Sequence, residues 1–90
     1  MYVHIGNDFI INDEDIVAVF DIDSSSISVK TRNFLNNAEK NKEIVNISTD
    51  IPRSFIVCKK NNKNIVYLSQ LSSSTIGKRI NKNKKGDFIL

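Results

Sequence analysis

The sequence predicts one small domain of the α+β class: short, mostly antiparallel strands, one main amphipathic helix and a short C-terminal helix. Three observations lead there. The apolar runs are short and either alternate with polar residues or are rich in β-branched side chains, which suits strands. A single stretch after Ser28 places apolar residues at helical spacing. Gly, Asn, Asp and Pro punctuate the remainder as turns. Ninety residues are one domain's worth of chain, and so short a chain buries only a modest share of its surface.

"YVHI" alternates, Val3 and Ile5 on one face, Tyr2 and His4 on the other. Gly6 and Asn7 tolerate positive φ, so "GND" turns the chain and "FII" returns as the second strand of a hairpin. "NDED" is a polar turn. "IVAVF" is a continuous apolar run whose brevity and β-branching predict a strand covered on both faces. "DIDSSSIS" interrupts the pattern, and the hydroxyl of Ser26 or Ser28 caps the helix that follows.

In "VKTRNFLNNAEKNK", Thr31, Phe34, Leu35 and Ala38 share one helical face. Lys30, Arg32, Asn33, Asn37 and Lys40 lie largely off it, and Lys40 and Lys42 suit the negative end of the helix dipole. "EIVNIS" reads as a short strand and "TDIPR" as a turn. Pro52 has no N–H to give a central ladder, so the next strand starts near Arg53. "SFIVCKK" and "NIVYLS" flank "KNNKN", a hairpin loop by composition. Ser72 to Ser74 offer caps to a short helix over Thr75–Ile80, which Gly77 weakens. Residues 81–90 form a polar basic tail that carries three apolar residues, Phe88, Ile89 and Leu90.

The net charge of +3 conceals a division. Residues 1–23 hold six acids and no Lys or Arg, while all 13 basic residues follow Ser24. Such a chain suits two uses: its basic part can meet phosphate, or its two parts can meet in neighbouring copies. One cysteine makes no internal disulfide, which points to a reducing compartment. The N-terminus has no signal-peptide pattern, and no apolar run is long enough to span a membrane. The expected location is cytoplasmic, with no membrane partner.

No catalytic constellation emerges, so no enzyme, cofactor, metal or small-molecule substrate is expected. His4 has no partner at metal spacing, and Cys58 continues a strand as a small hydrophobe. "DIDSSS" has oxygens at alternate positions like a calcium loop. Ser26 stands where the glycine belongs and Arg32 where the bidentate glutamate belongs.

Taken in order, "YVHIGNDFIINDEDIVAVFD", "FLNNAEKNK", "IPRSFIVC" and "VYLSQLSSSTIGKR" resemble the RemB family of small bacterial extracellular matrix regulators, from Tyr2 to about Ile80. That family is similar in turn to RemA, a DNA-binding activator of biofilm matrix genes that forms rings whose repeated basic loops hold DNA. The resemblance implies a homo-oligomer, with a ring as its expected form, and double-stranded DNA as the partner. The contacts carry over unevenly. RemA's arginine before the "IVAV"-type strand falls here on Asp15, and its paired arginines fall on about Ile51 and Pro52. Arg53, one step along, is the guanidinium left in that turn. Arg32 stands where RemA-like chains carry a lysine.

Two readings follow. One is a DNA-binding transcriptional regulator that touches phosphates through Arg53, with Arg32, Lys78 and Arg79 as helpers. The other is an oligomeric protein-interaction module with no nucleic-acid binding. Lys59, Lys60 and Lys63 around the hairpin loop, and Lys82, Lys84 and Lys85 in the tail, read equally well as solvated charge.

Overall fold

The first two strands, β1 (Tyr2–Gly6) and β2 (Phe9–Asn12), pair antiparallel in a two-stranded sheet of their own. The computed structural model describes residues 1–22 and 28–81. Asn7 and Asp8 form the turn at φ of 47° and 65°, after Gly6 at 120°. Two consecutive left-handed residues are what a two-residue hairpin needs to match the strand twist. Asp8 therefore joins the two residues that the sequence marked for positive φ. Asn12 opens a single 3₁₀ turn (Asp13–Asp15), its side chain accepting from the Glu14 N–H at 3.0 Å.

The chain continues through β3 (Ile16–Asp21), α1 (Val29–Lys40), β4 (Ile44–Asn46), β5 (Ser54–Lys60), β6 (Lys63–Ser69) and α2 (Ser73–Asn81). Four of these strands form the main sheet in the order β3-β5-β6-β4, antiparallel except for β4 beside β6. Asn61 and Asn62 turn the β5–β6 hairpin, both at positive φ. The α+β class and the mostly antiparallel pairing match the reading of the sequence.

The main sheet is covered on both faces. On one side Ile16, Val19, Ile56 and Cys58 pack with Val3, Ile5 and Ile11 of the small hairpin and with Ile76 and Ile80 of α2. On the other, Phe55 and Val66 pack under Ala38 of α1, with Leu35, Phe20, Val57 and Leu68 at the margin. Period-two alternation along β5 sends Phe55 and Ile56 into different clusters.

Double coverage of "IVAVF" fails at one residue. Pairing with β5 shifts register between Ile16 and Ala18, and Val17 is exposed. This bulge brings Ile16 and Val19, three apart in sequence, onto the same face. Phe34 also departs from expectation. Leu35 and Ala38 seat α1 on the sheet, while Phe34 stays 42% exposed at the helix margin.

Hydroxyls and one glycine tie the layers together. The buried Ser69 Oγ donates to the Ile5 carbonyl at 2.6 Å and accepts from the Leu71 N–H at 3.0 Å. A Cβ on Gly6 would stand 3.4 Å from that oxygen, at a φ that disfavours any side chain. Ser28 caps α1 by accepting from the Thr31 N–H, and Ser72 accepts from the Thr75 N–H in the first turn of α2. Gly77 sits buried within α2, which runs longer at both ends than the sequence suggested. The alternative cap Ser26 and the tail residues Lys82, Lys84, Lys85 and Phe88–Leu90 lie outside the described residues.

Candidate nucleic-acid interface

The turn before β5 is built from its own polar groups. Ser48 Oγ donates to the Asp50 carbonyl, Asp50 Oδ1 accepts from the Ile51 N–H at 2.8 Å, and Thr49 leans on Gln70. Strand pairing begins at Ser54, one residue later than expected. Arg53 is nonetheless fixed along its backbone. Its N–H donates to the Ser69 carbonyl and its carbonyl accepts from the Ile22 N–H, both at 2.8 Å. The residue is thus clamped between the ends of β6 and β3. Its side chain is exposed, and its guanidinium has no hydrogen-bond or ion-pair partner among the described residues.

Helix α1 is capped by Ser28, and Lys30 and Thr31 of its first turn line a groove with Val17 and Phe20 of β3 and Phe55 and Val57 of β5. Its first turn contains no acid and carries Lys30, with Arg32 next. The exposed cations stand at the positive end of the helix dipole, an arrangement costing a few tenths of a kcal/mol each. Folding gains nothing from placing them there. An anion bound at this end would offset the cost. The sequence reading missed Lys30, although its signal was legible as a cation in a first turn without a balancing acid.

The two basic residues of α2 are accounted for within their own layer. Lys78 and Arg79 lie in the last turn of their helix, where the dipole favours cations. Arg79 is half-buried and reaches β1, its Nη1 lying 2.9 Å from the His4 carbonyl oxygen and 3.0 Å from His4 Nδ1. It staples α2 to the small hairpin. The start of α2 is neutralised as well, because Asp21 Oδ1 accepts from the Ser73 N–H at 3.0 Å. Lys78 and Arg79 thus belong to the layer on the face of the sheet opposite α1, which carries Arg32.

The opposite end of the sheet is mixed in charge. Lys60 and Lys63 face each other across the Asn61–Asn62 turn, with Lys59 beside Asn64. The acidic Asp13–Asp15 turn packs against β5 nearby. The division between acidic and basic segments is therefore weaker in space than along the chain.

Cys58 lies under this turn, fully buried. Burial first, and the Asp15 charge second, push its thiol up to about 12. The folded value exceeds the ordinary 9.0, so the fold holds the protonated form. Its contribution is complete below the unfolded value and is lost as pH rises through the folded one. Urea denaturation should show stability falling above about pH 9, and Cys58→Ala should flatten that fall. Tyr67, raised by burial above all, keeps part of the alkaline slope in the variant. An unchanged slope would mean that the thiol titrates as it does in the unfolded chain.

Comparison with known proteins agrees with this architecture. The family model described as RemA-like, extracellular matrix regulatory protein A-like, matches residues 2–80. Extracellular matrix regulatory protein B of Bacillus subtilis (strain 168) is 37% identical over 79 residues, spanning 88% of this chain and 89% of that protein. No described helix is long and apolar enough to cross a membrane. The chain belongs to the RemA-like family of extracellular matrix regulatory proteins.

Proposed function

We propose that this chain is a cytoplasmic, non-enzymatic regulator that binds double-stranded DNA as a homo-oligomer, gripping phosphates without reading bases. The observation that carries this reading is Arg53, a guanidinium with a clamped backbone and an exposed side chain that has no partner among the described residues. Lys30 and Arg32 add positive charge in the first turn of α1, against the helix dipole. Lys78, exposed on α2, contributes from farther off, and Arg79 contributes only to the extent that it leaves His4. One arginine per subunit is a weak grip. Repeated around an oligomer, the resemblance to RemA making a ring its natural form, it becomes a strong one.

The test is a gel shift of long duplex DNA across a salt series. Affinity should fall steeply and linearly on logarithmic axes, with a slope of about −0.9 per phosphate contacted, and unrelated sequences should behave alike. Absence of binding at low salt would leave the family membership intact and turn the reading towards an interaction module without nucleic acid.

A further inference from the structure

We propose that Phe88, Ile89 and Leu90 dock in a groove on their own chain, between the edge strand β3 and helix α1. The groove holds about 410 Å³ and is lined by Val17, Ala18, Phe20, Phe34, Phe55 and Val57, with Lys30 and Thr31 at its polar margin. Its lining is almost wholly apolar, and it includes two of the exposed large apolar side chains, Val17 and Phe34. An apolar groove of this size beside an unpaired strand edge invites an occupant.

Residues 82–90 supply one of suitable chemistry. Six residues, Lys82 to Asp87, are charged, polar or glycine, and three consecutive apolar residues follow. The segment starts where α2 ends, and α2 packs against β3 from the face opposite the groove. β3 is the outermost strand, so the chain has only one strand to round. Six extended residues reach about 20 Å, against a layer spacing of about 10 Å. The segment also lies beyond residues 2–80 that match the family model. Docked, it covers the free edge of β3 and carries Lys82, Lys84 and Lys85 across it. The inference does not rest on DNA binding.

The chain has no tryptophan, so Phe88→Trp installs a single reporter at the docking segment. In the full chain without DNA, its emission should lie at shorter wavelength than that of a free tryptophan peptide and resist iodide quenching. Val17→Asp places a charge in the groove at an exposed site and should return both readings to the free-peptide values, with far-UV circular dichroism unchanged. Ile89→Asp, outside the matched domain, should do the same without touching the groove. Solvent-like emission in Phe88→Trp alone would overturn the proposal. So would a shift that survives both charged substitutions. A shift that fades on dilution would place the segment in another copy's groove and overturn docking within one chain.

Discussion

Arg53→Ala is expected to weaken binding to long duplex DNA about 10- to 100-fold, for all sequences alike. That range corresponds to one charge-assisted contact at about 1.5–3 kcal/mol, and the loss compounds where several subunits engage the duplex together. The slope of affinity against salt should become shallower by about 0.9 for each phosphate contact removed. Arg53→Lys should recover only part, because an ammonium is a point charge without the two-pronged geometry of a guanidinium. Fold and oligomer size should hardly change. The bonds at position 53 are made by its N–H and carbonyl, to Ser69 and Ile22, and alanine keeps both. Gel shifts across salt, with a thermal melt and light scattering of the same samples, provide all three readings. Normal DNA binding by the alanine variant would reduce Arg53 to a solvated charge guarding a strand mouth. Dissociation into smaller species would assign it to a subunit contact instead.

Much of the fold was legible because local rules agreed with the tertiary arrangement. The asparagine-rich turns at Asn7 and Asn61–Asn62, the Ser28 and Ser72 caps and the break at Pro52 are each dictated within a few residues. The exposure of Val17 was not legible, since a bulge depends on how β3 registers against β5. Phe34 was misjudged for a related reason: helical spacing defines an apolar face but not which part of it the sheet reaches. The candidate interface was half legible. Arg53 stood out because neither the turn nor the strand needed it. Lys78 and Arg79 looked equivalent to Arg32 as charges, and only the packing of α2 on β1 gives Arg79 a partner in His4. Partnerships between residues 75 positions apart leave no trace in local pattern.

Phe55→Ala should be the most damaging single substitution in the domain, costing about 3–5 kcal/mol. The sheet divides the core in two, and Phe55 is the large buried side chain on the α1 side, 1% exposed. Its ring stacks on Phe20 at 4.9 Å and 17° and meets Phe34 at 6.4 Å. Alanine there would remove the ring on which both other aromatics lean and leave Ala38 and Val66, too small to close the gap. A chain of this length has a net stability at the low end of the usual range of about 5–15 kcal/mol, so the variant should be largely unfolded at physiological temperature. Phe55→Leu should cost much less, because it keeps most of the buried volume. Urea titration followed by circular dichroism would measure both. The functional loss should differ in kind from that of Arg53→Ala: DNA binding and helical signal should disappear together, because Lys30 and Arg32 are positioned only while α1 is seated on the sheet. A cost below about 1 kcal/mol would mean that α1 is held by something other than this aromatic cluster, and that the position of its cations has a different origin.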